Sequence, residues 1–474
     1  MNTSNKKVIA IILALIVLVL ALIAIVFFLV SSLFSPRVNN DGQKGNELKI
    51  PALLQDQNSD PAITDFILEP QPGETNFLGS RLTKTLGYNG SYLGPVLRVR
   101  QGEKVNIRVN NKLDYPTTIH WHGLVVDGEQ DGGPHQGIQP GESWNPEFII
   151  DQPAATLWYH PHLMGDSADQ VYYGLAGLIY IDDQNSEKLN LPKEYGINDI
   201  PLIIQDRSFN NDGSFAYRTS MMGVVAGDAI LINGTINPYV NVNKGNIRFR
   251  ILNASNSQNF EFSLNDGSSF QQIASDGGFL EAPLTRKSIF LAPGERAEVV
   301  VEFAKSSRDT VSLMLGNQPV LKIILSSSNA DSTEIPKSLA AVTPIPTGDS
   351  PKTRVFELQS MGISGTINGK SFDMNRIDEE VGLDESEIWI IRNRGGMMQT
   401  GGHPFHVHGT QFQVISRNGR TPPLEERGFK DTVFVNTGEE VKIRVRFSHP
   451  GIFMYHCHIL EHEDNGMMGQ FRVS

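Results

Sequence analysis

Hydrophobic and polar residues alternate with a period of two along most of the chain after residue 50. Clear examples are residues 105–111 (VNIRVNN), 247–253 (IRFRILN) and 441–447 (VKIRVRF). Successive side chains of a β-strand point to opposite faces, so this alternation predicts strands with one buried face. The stretches are short and are separated by turns rich in Gly, Pro and Asn, with almost no helical periodicity. The pattern therefore predicts an all-β protein built from sandwiches.

One sequence element recurs along the chain. A glycine turn followed by an alternating strand is found at residues 140–150, 293–303 and 437–447. The glycines of these turns, Gly141, Gly294 and Gly438, are 153 and 144 residues apart. Recurrence at this spacing indicates three tandem copies of one β-domain. We place the three domains at residues 51–185, 196–335 and 350–474.

The N-terminal region has a different pattern. Residues 8–30 form an uncharged apolar run of 23 residues. As a helix this run would span roughly 35 Å, which is enough to cross a hydrocarbon core of about 30 Å. Lys6 and Lys7 precede it, so the amino terminus is expected to stay in the cytoplasm. We predict a transmembrane helix within residues 1–31 and a polar tether at 32–50. The alternative is a removed signal segment; either places the rest outside the cytoplasm.

Composition narrows the functional classes. The formal net charge is −12 and no basic cluster is present, so the chain is not expected to bind nucleic acid. It has a single cysteine, Cys457, which excludes an internal disulfide. A lone cysteine in an exported protein is a hazard unless something holds it, and metal ligation would explain its presence. We expect the protein to act as a monomer.

The histidines are unevenly distributed. The chain has 12, and none lies between His162 and His403, so the middle domain carries no imidazole. Chance predicts about 0.3 H-x-H pairs for this composition. The chain contains four such pairs, which are His120 with His122, His160 with His162, His406 with His408, and His456 with His458. This excess predicts a metal site formed by the first and third domains.

Cys457 lies between the two histidines of the last pair. A thiolate with two imidazoles and a weak axial methionine is the ligand set of blue copper, and Met467 follows ten residues later. In a strand, His456 and His458 point away from the sulfur and can bind a second metal centre. The eight paired imidazoles would serve a cluster of three copper ions between the outer domains. His135 and His449 are expected not to be ligands.

With these motifs the chain resembles the multicopper oxidases of the laccase-like type. It is most similar to bacterial three-domain copper-efflux oxidases, which oxidise Cu(I). The resemblance runs from about residue 51 to residue 474 and includes HWHG, WYHPH, HPFHVHG and YHCHILEH in order. It implies three tandem cupredoxin-like Greek-key sandwiches and four copper ions per chain.

The resemblance also implies a role for each ligand. The type 1 copper would be held by His403, Cys457 and His462, with Met467 axial. The type 2 copper would be held by His120 and His406. One type 3 copper would take His122, His160 and His458, and the other would take His162, His408 and His456.

The implied activity couples four one-electron oxidations at type 1 copper to the reduction of dioxygen to two water molecules. By resemblance His462 is the edge through which electrons enter. Asp131 and Glu463 match acidic residues near the cluster and are expected to carry protons. The donors are expected to be phenols or aromatic amines, and the alternative is Cu(I) in extracytoplasmic copper detoxification. A copper-storage or electron-transfer protein without catalysis is a third reading, which the eight paired imidazoles argue against.

The chain departs from the copper-efflux oxidases near the type 1 site. It lacks their Met- and His-rich insertion, and only the scattered Met361, Met374, Met397 and Met398 remain. Residues 399–402, before His403, lack the carboxylate that cuprous oxidases place near there. Both differences weaken the Cu(I) hypothesis and predict a type 1 edge that is more open to bulky organic donors.

Overall fold

The computed structural model describes residues 45–79, 81–220, 223–326, 334–348, 351–395 and 401–474. The predicted membrane helix within residues 1–31 and most of the tether lie outside these ranges, as do Met397 and Met398. In the ranges described, no helix is long and apolar enough to span a membrane. The described chain is mostly β-structure arranged in three sandwiches, which confirms the prediction of an all-β protein with three tandem domains.

The first sandwich follows a short strand, β1 (Asn46–Glu47). Its elements are β2 (Ile63–Leu68), β3 (Pro70–Thr75), β4 (Thr83–Tyr88), β5 (Leu97–Arg100), β6 (Lys104–Asn110), β7 (His120–His122), β8 (Ser143–Trp144), β9 (Glu147–Ile149), β10 (Ala155–His160), α1 (Ser167–Tyr173), β11 (Gly177–Asp182) and α2 (Gln184–Lys188). Strands β2, β6, β8 and β9 form one sheet, and β5, β11, β10 and β7 form the other. The alternate residues Val105, Ile107 and Val109 of β6 are buried in the core, as their pattern predicts.

The middle sandwich has the largest sheets. Its strands are β12 (Asp199–Arg207), β13 (Ala229–Ile232), β14 (Thr235–Ile236), β15 (Pro238–Asn243), β16 (Asn246–Asn253), β17 (Phe260–Leu264), β18 (Phe270–Ser275), β19 (Gly278–Arg286), β20 (Ile289–Leu291), β21 (Arg296–Glu302), β22 (Thr310–Leu315) and β23 (Gln318–Ser326). Strand β1 pairs in parallel with β15, and Leu48 enters the core of this sandwich. The structure therefore differs from the predicted tether at its end, because residues 46–48 extend the middle sheet.

The third sandwich carries the lone cysteine. Its elements are β24 (Lys352–Met361), β25 (Ser364–Ile367), β26 (Glu379–Val381), β27 (Ser386–Asn393), β28 (His403–Val407), β29 (Phe412–Arg417), a 3-10 turn (Leu424–Glu426), β30 (Phe429–Lys430), β31 (Thr432–Val435), β32 (Glu440–Arg446), β33 (Gly451–Cys457), α3 (Leu460–Asp464) and β34 (Met468–Val473). The sheet β25-β24-β27-β32-β29-β30 packs on the sheet β26-β34-β33-β28-β31. Trp389, Phe405 and Cys457 belong to the core between them.

The recurring glycine turn has the same backbone conformation in each sandwich. Gly141, Gly294 and Gly438 have φ angles of 77°, 83° and 78°, and they precede β8, β21 and β32 respectively. A positive φ of this size is costly for residues with a Cβ, so glycine is the residue that suits these turns. The turn at Gly294 also approaches a histidine of the third sandwich, because a Cβ there would lie 3.0 Å from the His458 ring.

Paired strands bring the histidine motifs together within each outer sandwich. In the first, β7 pairs with β10 so that His120 lies opposite His160. In the third, β28 pairs with β33 so that His406 lies opposite His456. Alternation along β7 sends Trp121 into the domain core while both histidines face the third sandwich.

Candidate metal centres

The first candidate centre lies entirely within the third sandwich. The thiol Sγ of Cys457 is 3.3 Å from Nδ1 of His403 and 3.8 Å from Nδ1 of His462. Met467, which is also buried, accepts a hydrogen bond at its backbone carbonyl from the Cys457 N–H over 3.1 Å. The start of β28, the end of β33 and the helix α3 thus bring together the ligand atoms of three residues that the sequence predicted for type 1 copper. The fourth, Met467, lies directly before β34 and packs in the same core as Cys457.

The environment of this centre favours neutral imidazoles. Burial lowers the pKa of His403 to about 3 and the pKa of His462 to about 4, so both rings are available as ligands at neutral pH. Burial also raises the pKa of the Cys457 thiol, although the Ile459 N–H, 3.5 Å from Sγ, opposes this shift. A thiolate in this place therefore requires a cation, which reverses the local electrostatics.

The surroundings of His462 correct one expectation. The side chain is only 3% exposed, so the type 1 edge is not open to bulky donors as predicted. The turn between β24 and β25 reaches the ring, and the backbone of Gly362 interacts with it. The middle sandwich packs on the same turn, since a Cβ on Gly223 would lie 2.3 Å from the Gly362 carbonyl. A short hairpin and a neighbouring domain therefore cover this edge.

Met467, the predicted axial ligand, has a close neighbour that the sequence did not reveal. A Cβ on Gly365 of β25 would lie 2.6 Å from Cβ and 2.7 Å from Sδ of Met467. The glycine therefore leaves the space that the methionine side chain occupies. The sequence also did not reveal a neighbour of His403, which is Ser360 of β24, with Oγ 3.4 Å from Nε2 of the imidazole.

The second candidate centre lies between the first and third sandwiches. Nε2 of His456 is 3.1 Å from Nε2 of His162 and 3.1 Å from Nε2 of His408. Nδ1 of His408 donates to a carboxylate oxygen of Asp131 over 2.8 Å, and Nδ1 of His456 lies 3.1 Å from the Cys457 carbonyl. The protons of His408 and His456 are therefore on Nδ1, so two bare Nε2 lone pairs face each other. Such an arrangement is repulsive unless a cation binds between the rings.

A second group of histidines also has bare nitrogens that face each other. Nδ1 of His160 donates to the Pro161 carbonyl over 2.9 Å, and Nε2 of His122 donates to Asp431 over 3.0 Å. The nitrogens left bare, Nε2 of His160 and Nδ1 of His122, are 3.4 Å apart. His458 lies beside this pair, with its ring centroid 5.0 Å from that of His122 and 5.4 Å from that of His160.

His458 itself shows why a ligand is expected here. Its side chain is fully buried, and neither ring nitrogen has a hydrogen-bond partner among the described residues. Leaving such polar atoms unpaired is costly in a protein interior, and binding a metal ion removes the cost. In the part of the chain that the structure describes, His458 belongs to no group whose ligand atoms all lie within 4.8 Å of one another. His120 forms such a group with His122 and His160 instead. The rings of the predicted trio are adjacent, but the structure does not bring all three ligand atoms together.

The predicted type 2 pair also meets across the domain interface. Nε2 of His120 is 3.5 Å from Nε2 of His406. Nδ1 of His120 donates to the backbone carbonyl of Asp131 over 3.0 Å, and Nδ1 of His406 donates to that of Asp431 over 2.8 Å. Both Nε2 atoms are therefore bare and face each other. The eight paired histidines thus surround one buried region at the interface that the sequence predicted.

Both predicted acids contact histidines of this region. Asp131 accepts from His408, as described above, and is 2% exposed. The Glu463 carboxylate oxygens lie 3.1 Å from Nδ1 of His456 and 3.5 Å from Nδ1 of His162. Burial alone would raise the pKa of Glu463, but the neighbouring His162 and His456 outweigh it and hold that pKa below its usual range.

The two remaining histidines have polar partners outside this region. His135 bonds to Gln470 over 2.8 Å, and His449 bonds to Asp127 over 2.9 Å. Among the described residues neither belongs to a group that could hold a metal ion.

Asp431 was missed by the sequence analysis although it contacts two of the histidines. Its carboxylate accepts from His122 and its backbone carbonyl accepts from His406. Arg296 of the middle sandwich forms two hydrogen bonds with the same carboxylate, each of 2.6 Å. No pattern marks an aspartate between two strands or an arginine in an alternating strand as part of a metal site.

The residues fit copper. A thiol with two imidazoles and a thioether is the blue-copper ligand set, and a cluster rich in imidazole nitrogens is also suited to copper. Three tandem β-sandwiches with one such centre in the third, and an imidazole cluster between the first and third, define a multicopper oxidase.

Comparison with known proteins agrees. Family profiles described as "Multicopper oxidase" match residues 70–186, 183–316 and 341–474. The chain belongs to the multicopper oxidase family and is an oxidoreductase, which confirms both predictions; copper is the metal that this membership implies.

Three relatives illustrate the similarity. The multicopper oxidase mco of Staphylococcus haemolyticus is 42% identical, over 92% of this chain and 94% of that protein. A solved structure of a laccase from Pediococcus acidilactici is 38% identical with a TM-score of 0.88, covering 91% of this chain and 94% of that one. The cell division protein FtsP of Dickeya dadantii is 36% identical, over 91% of this chain and 93% of that protein.

Proposed function

We propose that this chain is a laccase-like oxidase that holds four copper ions. One ion would bind at His403, Cys457, His462 and Met467, and three would bind among the eight interface histidines. The observation that carries the proposal is the set of bare imidazole nitrogens that face one another, within each outer sandwich and across the interface between them, next to Cys457. Copper, when bound, supplies one-electron oxidation of the donor at the sulfur centre and reduction of dioxygen to water at the cluster.

The backbone around Cys457 supports the coupling of the two centres. His456, Cys457 and His458 are consecutive, so only a few covalent bonds separate the sulfur from imidazoles of the cluster region. In this proposal electrons enter through His462, which interacts with the backbone of Gly362. A donor would therefore transfer its electron through this covered imidazole without touching the sulfur.

Two buried carboxylates support proton delivery in this proposal. Asp131 holds the proton of His408 at Nδ1, and Glu463 lies beside the Nδ1 atoms of His456 and His162. Each acid contacts a proposed cluster ligand, so it can orient that ring and exchange protons near it.

The donor is the less constrained part of the proposal. Phenols or aromatic amines suit a centre that transfers only electrons, and the covered His462 favours small donors. One observation favours Cu(I) as the alternative donor: Met361, next to the turn at Gly362, is 74% exposed. A thioether is a soft ligand that suits Cu(I).

Oxygen uptake by the copper-loaded chain tests both readings. We expect uptake with 2,6-dimethoxyphenol, and absence of uptake with every donor would contradict an oxidase and favour a copper-storage protein. If Cu(I) is the donor, Met361→Ala lowers the Cu(I) rate and leaves the phenol rate unchanged. Met314→Ala, in β22 of the middle sandwich, is the matched control and should change neither rate.

We also propose that the oxidase domains lie outside the cytoplasm, anchored to the membrane. The apolar run at residues 8–30, preceded by Lys6 and Lys7, supports this proposal. Fractionation of cells tests it, since an anchored chain stays with the membranes after a carbonate wash. Recovery in the cytoplasmic fraction would contradict it, and recovery in the medium would indicate a removed signal segment.

A further inference from the structure

The middle sandwich carries no histidine, yet it sends one charged side chain to the edge of the cluster region. Arg296 opens β21, directly after the turn at Gly294, and its side chain has no solvent exposure. A guanidinium has five N–H groups, and burying it requires that all of them find acceptors.

All five N–H groups of Arg296 are satisfied, and their acceptors come from all three sandwiches. Nε donates to the Thr156 carbonyl of the first sandwich over 3.1 Å. Nη1 and Nη2 donate to the Gly294 and Asp276 carbonyls of the middle sandwich over 3.0 and 3.1 Å. The other two N–H groups form paired bonds of 2.6 Å to the Asp431 carboxylate of the third sandwich.

Asp431 in turn accepts hydrogen bonds from histidines of both outer sandwiches. Its Oδ1 accepts from Nε2 of His122 over 3.0 Å, which leaves Nδ1 as the bare nitrogen. Its backbone carbonyl accepts from Nδ1 of His406 over 2.8 Å, which leaves Nε2 bare. His122 thus faces the cluster with Nδ1, whereas His406, His408 and His456 face it with Nε2.

Arg296 also stabilises the charge of the buried Asp431 carboxylate. Asp431 has no solvent exposure, and Arg296 is the only residue that gives its carboxylate two hydrogen bonds among the described contacts. Gln411 and Thr432 donate one hydrogen bond each, so without the guanidinium the buried carboxylate would lose its closest cation and two of its donors. The planar, two-pronged contact also fixes the plane of the carboxylate, and so the direction from which it accepts the His122 proton.

We propose that Arg296 is a positioning residue for the copper cluster: through Asp431, the middle sandwich fixes the ring orientation and the tautomer of His122 when the three domains dock. The proposal rests on the proposed function, because it assumes that the interface histidines bind copper. It gives the histidine-free domain a direct part in assembling the cluster, beyond that of a spacer.

Arg250 offers a matched control. It is a second buried arginine that joins the middle sandwich to the first, and it also contacts Thr156, through Oγ1 over 2.9 Å. Its other described hydrogen bonds go to Asp199 and Glu298, and none goes to a histidine. Arg250→Lys is therefore expected to weaken domain docking without affecting the cluster. Arg296→Lys is expected to weaken domain docking and also to disturb the cluster.

The first measurement uses the copper-free full chain, so it does not depend on metal binding. Nitrogen NMR of protein labelled with ¹⁵N-histidine reports which ring nitrogen carries the proton, and His122→Gln assigns the signal. We expect His122 to be protonated at Nε2 in the wild type and in Arg250→Lys, and to lose this preference in Arg296→Lys. An unchanged His122 signal in Arg296→Lys would overturn the proposal.

The second measurement uses the copper-loaded chain. We expect Arg296→Lys to weaken copper binding at the cluster about 10- to 100-fold, the usual cost of losing a group that orients a metal ligand. Its blue absorption and its type 1 electron paramagnetic resonance signal should match those of the wild type. If Arg296→Lys and Arg250→Lys lose copper affinity equally, Arg296 acts only in domain docking, and the proposal is overturned.

A second variant guards against misfolding of Arg296→Lys. Asp431→Asn keeps the side-chain shape and the backbone carbonyl, so it should alter the His122 signal and spare that of His406. Changes of both signals, or of neither, would contradict the proposal. Wild-type protein that shows the expected His122 tautomer but takes up no cluster copper would refute the proposed function while leaving the positioning itself intact.

Discussion

The two candidate copper centres differ in how many domains build them. The sulfur centre takes all its residues from the third sandwich, and three of them, Cys457, His462 and Met467, lie within one short segment. The interface centre takes four histidines from the first sandwich and four from the third, and Arg296 of the middle sandwich supports it. The first centre can form when one domain folds, whereas the second exists only after three domains have docked.

The centres also differ in their surroundings. Around the interface histidines lie three buried acids, Asp131, Asp431 and Glu463, which contact the nitrogen that each ring turns away from the cluster. The sulfur centre is surrounded mainly by apolar residues and backbone groups. The carboxylates that contact imidazoles thus lie at the interface centre, where the proposed function requires protons as well as electrons.

The largest expected effect is the loss of the sulfur. Cys457→Ser removes the thiolate while keeping the strand between His456 and His458, so oxygen uptake should fall to the background rate. The blue absorption should disappear, and bound copper should fall by one ion per chain while the interface centre stays filled. Loss of all copper from this variant would show that the two centres do not form independently. Thermal unfolding of the copper-free chain is the control for folding.

A smaller effect is expected at the acids of the interface centre. Asp131→Asn keeps the side-chain shape but removes the charge that holds the proton of His408. Turnover should fall about 10- to 100-fold, as is usual for outer partners of metal ligands. The blue absorption should stay unchanged, because Asp131 contacts no residue of the sulfur centre. Loss of the blue colour together with activity would contradict this separation.

The smallest effect is expected at the axial position. Met467→Leu conserves volume, so its cost to stability should stay below about 1.5 kcal/mol. Removing the thioether should raise the type 1 reduction potential, because an axial methionine lowers it relative to a non-ligating residue. Redox titration of the blue absorption measures the shift, and copper bound at the interface centre should not change. A potential equal to that of the wild type would exclude Met467 as a ligand.

Much of the fold could be predicted from the sequence, because strands with one buried face show a clear alternation of hydrophobic and polar residues. Alternation predicted the sandwiches, and the repeated glycine turns marked the three copies. The sequence pattern could not predict that residues 46–48 would extend the middle sheet, because β1 has only two residues and its partner β15 lies far along the chain. Pairing between distant segments leaves no local signal.

The same contrast holds for the metal centres. The H-x-H pairs and Cys457 could be found because their chemistry is rare and their spacing repeats. Asp431 and Arg296 could not, because a buried ion pair across domains looks like two ordinary charged residues in the sequence. The covering of His462 was also missed, since it depends on the middle sandwich packing on the turn at Gly362.

Whether the two copper centres form independently is decided by elemental analysis of the fully reconstituted chain and of its Cys457→Ser variant. We expect four copper ions per wild-type chain and three per variant chain, because one centre is built by one domain and the other by the docking of three. Well under four copper ions in the wild type, or no difference between the two proteins, would contradict this expectation.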